Sequence, residues 1–215
     1  KRYMTDCLSQ EGVDALLLVL PRKYRSGFSD WISGRMNPLD DQSKRRAYEL
    51  WDSPVLDESL VGTVMGLQQI HAFLFGGLYE FAGQIRVKNI SKGGFQFANC
   101  RYFDETLPQI EAIPEGSLDE IVDKYVEMNI AHPFMEGNGR ATRIWLDMLL
   151  KRRLAKCVDW QLIDKQDYLN AMERSVIDAT DIKRLILTAL TDRIDDRELF
   201  MKGIDYSYYY EEIDE

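Results

Sequence analysis

Residues 132–143 read HPFMEGNGRATR, and they join the end of one helical pattern to the start of another. Pro133 stops the first helix, because the residue before a proline disfavours the α region. Gly137, Asn138 and Gly139 tolerate positive φ and close backbone approach. Successive amides in such a turn form a nest for an anion. The nest opens into a helix N-terminus, where free N–H groups and the macrodipole favour the same negative charge.

Arg140 and Arg143 are three residues apart and share a face of that second helix. Cations at a helix N-terminus oppose the dipole, so their placement fits a polyanion gripped by two planar guanidinium forks. Two arginines and a nest suit a di- or triphosphate. Glu136 beside such a site is repulsive unless a cation lies between, and magnesium is the usual bridge between a carboxylate and phosphate oxygens. His132 is the one side chain of the set that accepts a proton near neutral pH. Base, metal ligand, nest and two clamps make an inventory for attack of a deprotonated hydroxyl on a phosphate ester. Each part alone has a plainer reading: a core histidine, a helix connection, a salt bridge. Those readings leave the arginines at the wrong helix end. Phe134 belongs to the core under either.

Outward from this stretch the chain is helix-dominated. Residues 13–20 suit a short helix, and a fresh start near Met36 has Asp40 or Asp41 as a cap for a helix running to Trp51. Val64, Leu67, Ile70, His71, Leu74 and Leu78 recur at helical spacing across residues 62–81, which Gly83 ends. Residues 87–90 and 95–98 are strand-like runs about a Gly93-Gly94 turn. Ser117 and Glu120 form a capping box for a helix running to Ala131. The helix after Gly139 is apolar in nearly every direction, which marks a buried helix. Helices over 165–175 and 180–191 follow, and a last one spans residues 200–212.

Composition sets outer bounds. With 215 residues and 45% hydrophobic content, one domain with a modest appendage builds its own core. A net charge of −9 argues against general nucleic-acid binding, which rests on phosphate neutralisation. Cys7, Cys100 and Cys157 form no CxxC pair, so a reducing, cytoplasmic setting is expected. The longest apolar run, residues 15–20, is far too short to span a bilayer.

The stretch from His132 to Arg143 resembles the Fic-domain motif, HxFx(D/E)GNGRxxR, at every defined position. GLQQIHAFLFGGLYEFAGQIR (66–86), NISKGGFQFAN (89–99) and YVEMNIA (125–131) look like the same family, and the resemblance covers roughly residues 36–212. It implies a mainly α helical bundle with one short β-hairpin flap over the active site. It also implies protein adenylylation, the transfer of AMP from ATP to a target hydroxyl with release of pyrophosphate. By position, His132 would be the base and Glu136 would hold Mg²⁺. Gly137, Asn138 and Gly139 would cradle phosphates, with Arg140 at the β- and Arg143 at the γ-phosphate. The flap (Ile90, Ser91, Lys92, Gly93, Gly94, Phe95, Gln96 and Phe97) would hold the target by strand addition.

Ser207-Tyr-Tyr-Tyr-Glu211 is similar to the family's inhibitory pattern, (S/T)xxxE(G/N), with Glu212 where Gly or Asn is usual. Glycine there would end the helix in the left-handed conformation, which glutamate does poorly. The resemblance implies a self-inhibited, class III type of member in which Glu211 pairs with Arg143. Tyr208, Tyr209 and Tyr210 become candidates for self-modification. The implied organisation is an extension over 1–35, a catalytic core over 36–195 and an inhibitory segment over 196–215. Some small members act as bacterial toxins on type II topoisomerase subunits, and some self-associate, so both partners are expectations. The rivals are a Fic-fold kinase, whose known examples depart from GNGR, and a silent nucleotide-binding regulator, which would lose His132 or the arginines first.

Overall fold

A computed structural model describes residues 38–53, 60–92 and 94–211. The expectations for residues 1–35, Gly93 and Glu212 lie outside those residues. One unit of the chain, residues 1–42 and 213–215, contributes only residues 38–42 to the description; the other spans residues 43–212.

Eight α-helices occur among the described residues. They are α1 (Pro38–Glu49), α2 (Val64–Phe75), α3 (Phe103–Glu111), α4 (Leu118–Ala131), α5 (Asn138–Leu154), α6 (Lys165–Arg174), α7 (Thr180–Ala189) and α8 (Arg197–Tyr209). The mainly helical architecture is the expected one. α5 is its axis, packing against α4 and α2. Trp145, Leu146, Leu149 and Leu150 on α5 are each no more than 1% exposed. Burying a side chain of this size contributes about 2 kcal/mol. That packing offsets the cost of two arginines held in the same helix. α5 divides the apolar interior: Ala141, Ile144 and Trp145 face Leu67, Leu74 and Met128. Leu146, Leu149 and Leu150 face Ile121, Tyr125 and Ile186.

Local chemistry explains most boundaries. Ser117 Oγ accepts from the Glu120 N–H at 3.3 Å and starts α4. The Glu120 carboxylate reaches back one residue further than a capping box requires, to the Gly116 N–H at 2.8 Å. α2 ends at Phe75, six residues short of the expected end, because Gly76 closes it and Gly77 turns out at φ 73°. Leu78 therefore continues the apolar spacing outside the helix. Asp40 and Asp41 lie in the first turn of α1 rather than at its cap, and a 3-10 turn over Leu50–Asp52 follows.

The hairpin is present but tighter than expected. β1 (Ser91–Lys92) pairs antiparallel with β2 (Phe95–Gln96), so the ladder sits at the turn and not over residues 87–90. Arg86 draws the first arm away, as described below. A second antiparallel pair, β3 (Cys157–Val158) with β4 (Leu190–Thr191), takes the last two residues expected in a helix. No helix among the described residues is long and apolar enough to cross a membrane.

Candidate functional site

α4 stops at His132, whose backbone is left-handed at φ 50° and ψ 63°. That conformation is uncommon outside glycine. The His132 N–H bonds Met128 O at 3.0 Å. A carbonyl only accepts, so at 3.1 Å from Asn129 O the ring nitrogen Nδ1 carries the proton. Nε2 then holds the lone pair. Burial lowers the ring's pKa to about 4, so the imidazole is neutral at physiological pH. Its face stacks on Phe97 of the hairpin, with centroids 3.7 Å apart and planes 12° apart.

The loop from His132 to α5 is closed by its own residues. Asn138 Nδ2 donates to Phe134 O and Asn138 Oδ1 accepts from the Phe134 N–H, both at 2.8 Å. The Asn138 side chain is therefore spent on holding the loop, and its backbone is what remains for the expected nest. Gly137 caps α5 at φ 78°, and a Cβ there would strike the Phe75 ring. His71, fully buried, donates from Nε2 to Glu136 O at 2.8 Å. Its Nδ1 accepts from the Gly83 N–H at 2.9 Å. Its ring stacks on Phe134 at 3.8 Å, and burial brings its pKa to about 4.

Glu136 combines the plain and the functional readings. Its Oε1 accepts from Arg140 Nη2 at 2.8 Å while its side chain remains 56% exposed. Among the described residues no group of three or more His, Cys, Asp or Glu is placed to hold a metal. A single exposed carboxylate beside an anion site does fit magnesium, which takes the rest of its oxygens from phosphate and water.

Arg143 is 2% exposed. Its Nε donates to Ser207 Oγ at 2.8 Å, and Nη2 donates to Ser207 O and Glu211 Oε1, both at 2.7 Å. Nη1 donates to Tyr168 OH at 3.2 Å. The guanidinium lies 5.5 Å from the ring centroids of both Tyr168 and Tyr210. Glu211 also meets the flap, with Oε2 at 3.2 Å from Lys92 Nζ. A Cβ on Gly139 would collide with Glu211 Oε1, so the carboxylate lies against the first turn of α5. Burial pushes the Glu211 carboxyl up, but Arg143 and then Lys92 outweigh it and hold its pKa at about 2. Ser207 and Glu211 are thus brought together on Arg143. Arg140 is buried between the rings of Phe75 and Tyr208, 5.1 and 5.4 Å from their centroids.

The three tyrosines separate. Tyr208 OH donates to Ser43 Oγ at 2.8 Å, and Tyr210 OH bonds Trp160 O and Ile163 O at 3.0 and 2.8 Å. Both are buried, and Tyr209 is 45% exposed. In the hairpin, Ser91, Lys92, Gly94 and Gln96 are exposed, while Ile90, Phe95 and Phe97 are half-buried.

His71, Arg86 and Tyr168 carry contacts that motif spacing does not reveal. His71 reads as one more residue on an apolar helix face. Its one signal is that the chain's other histidine belongs to the loop it supports.

A sequence model of the Fic/DOC family matches residues 63–150. The chain is 29% identical over 134 residues to protein adenylyltransferase VbhT of Bartonella schoenbuchensis, a match covering 56% of this chain and 27% of that protein. It thus spans about a quarter of that relative's length. It is 24% identical over 186 residues to a probable protein adenylyltransferase Fic of Escherichia coli, covering 79% of this chain and 92% of that one. Among solved structures, the Bartonella tribocorum effector BepC with bound AMPPNP superposes with a TM-score of 0.61 at 20% identity, covering 71% of this chain and 84% of that one. With the motif, the helical fold and these matches in agreement, residues 63–150 of the chain form a Fic/DOC family domain.

Proposed function

We propose that the protein is an adenylyltransferase that moves AMP from ATP to a hydroxyl side chain of a target protein, releasing pyrophosphate, and that α8 restrains it. The observation that carries this reading is the position of Glu211. A carboxylate of the chain itself lies on Arg143 and against Gly139 at the open end of α5. The site accepts an anion, and the native occupant mimics one.

On this reading His132 Nε2 takes the proton of the target hydroxyl while Asn129 O holds Nδ1–H and fixes the tautomer. The hydroxyl oxygen bonds to the α-phosphorus as the bond from that phosphorus to the pyrophosphate oxygen breaks. Gly137, Gly139 and the first amides of α5 bind phosphate oxygens, with Arg140 and Arg143 supplying positive charge. Glu136 would hold Mg²⁺, which supplies charge neutralisation on the phosphates. The flap adds the target as a neighbouring strand. The segment over residues 196–211 is the restraint: Glu211 occupies the position at Arg143 that the terminal phosphate needs. The relatives named as adenylyltransferases support AMP as the transferred group.

ATP labelled at the α- or the γ-phosphate, incubated with Glu211→Gly protein and candidate targets, tests the reading. A bacterial type II topoisomerase subunit is the first target to try. Label from the α-phosphate alone, lost in His132→Ala, is expected. Label from the γ-phosphate alone would assign the chain to the kinase reading.

A further inference from the structure

Arg86 is 3% exposed, although the next residue, Val87, is 86% exposed. A buried arginine beside an exposed valine reverses ordinary patterning. The guanidinium meets four backbone carbonyls: Nε donates to His132 O at 2.7 Å, Nη1 to Lys88 O at 2.6 Å, and Nη2 to Ala98 O at 2.6 Å and Ala131 O at 3.0 Å. Its backbone N–H bonds Pro133 O at 2.8 Å. The cation lies 4.7 Å from the Phe103 ring centroid, and no carboxylate among the described residues pairs with it.

Two of these carbonyls, Ala131 and His132, belong to the end of α4. Cations commonly satisfy such positions, and capping would need no more than these. The other two lie on opposite arms of the hairpin, Lys88 before it and Ala98 after it. Ala98 N–H in turn bonds Ile130 O at 3.1 Å. One planar fork therefore ties both flap arms to the turn that carries His132, whose ring stacks on Phe97. Lysine, with three donors on one nitrogen, cannot span four carbonyls on three segments.

We propose that Arg86 is a positioning residue that fixes the flap in one register against His132, so that a hydroxyl presented along the flap arrives at Nε2. This rests on the reading of His132 as the proton acceptor. Nucleotide binding, centred on α5, is left out of its reach.

The test compares the unaltered chain with Arg86→Lys and Arg86→Gln, each also in a Glu211→Gly background. The chain has two histidines, so ring nitrogen spectra resolve His132 with His71 as an internal control. Arg86→Lys is expected to turn the single Nδ1–H form of His132 into a mixture and leave His71 unchanged. Hydrogen exchange at the Phe97 and Ala98 amides should rise about tenfold, as for the loss of one charged hydrogen bond. ATP affinity should stay within about twofold, while kcat/KM for the target falls about ten- to a hundredfold. An unchanged His132 ring and unchanged flap exchange, with lowered thermal stability alone, would overturn the proposal. Absence of transfer in the Arg86-intact Glu211→Gly chain would instead count against the adenylyltransferase reading, and the ring and exchange measurements would still decide the role of Arg86. Should both variants fail to fold, the unaltered chain decides: slowly exchanging, individually resolved Arg86 N–H signals support the clamp, and averaged ones refute it.

Discussion

Glu211 Oε1 lies 2.7 Å from Arg143 Nη2, and the other oxygen of the same carboxylate lies 3.2 Å from Lys92 Nζ on the flap. One side chain of the C-terminal segment thus touches both the N-terminal end of α5 and the hairpin. The two contacts differ in worth. The Arg143 side chain is 3% exposed and that of Lys92 is 67% exposed, and exposed ion pairs contribute little.

Lys92→Ala is therefore expected to raise transfer less than about fivefold, since a surface pair contributes under about 1 kcal/mol. Glu211→Gly removes a charge-assisted contact of about 1.5–3 kcal/mol and should raise it about ten- to a hundredfold. Parallel rate measurements on the two variants check the ranking. Equal release by both would place the restraint at the flap and not at Arg143.

His71→Ala should destabilise the fold by about 2–4 kcal/mol. It leaves the Gly83 N–H and Glu136 O without their ring partner and opens space between Phe75 and Phe134. Chemical denaturation measures this. A loss below about 1 kcal/mol would mean that the motif loop holds its shape without the ring.

The pH dependence of stability has a defined sign. Burial lowers His71 and His132 from 6.5 to about 4. The unfolded chain then binds more protons than the native one in this range, so their contribution is complete above pH 6.5 and is lost as pH falls toward 4. For fully buried His71 this is on the order of 3 kcal/mol. Glu211, lowered from 4.5 to about 2, adds a contribution lost only below pH 4.5. Thermal melting should show a decline that begins near pH 6.5 and steepens below 4.5. A His132→Gln chain should lose part of the first decline and keep the second.

Of the three tyrosines, self-modification is expected at Tyr209, which is 45% exposed and has Lys165 Nζ 4.9 Å from its ring centroid. Peptide mapping after incubation with ATP checks this. AMP on Tyr208 or Tyr210 would require α8 to leave its seat, because both hydroxyls are engaged in the interior.

The motif stretch from His132 to Arg143 was legible in the sequence because its parts are contiguous and each demands a particular residue type. Pro133 marks a helix end, Gly137 a positive φ, and Arg140 and Arg143 an improbable charge at a helix start. Partners far along the chain were not legible. Nothing local to Arg86 points to Ala131 or His132, 45 and 46 residues away. The end of α2 was missed because Leu78 keeps the helical spacing after Gly76 has already closed the helix. β4 was missed because Leu190 and Thr191 continue an apolar pattern that only pairing with Cys157 and Val158 turns into a strand. The link between Arg143 and Glu211 entered by family resemblance, and the contact with Lys92 needed the structure.

The most direct measurement is the intact mass of the unaltered chain, Glu211→Gly, and Glu211→Gly with His132→Ala, each incubated with ATP, Mg²⁺ and a target. The account predicts that target or enzyme gains the mass of AMP with the single variant, little with the unaltered chain, and none with the double variant. Gain of a phosphate mass, or equal gain with and without His132, would contradict it.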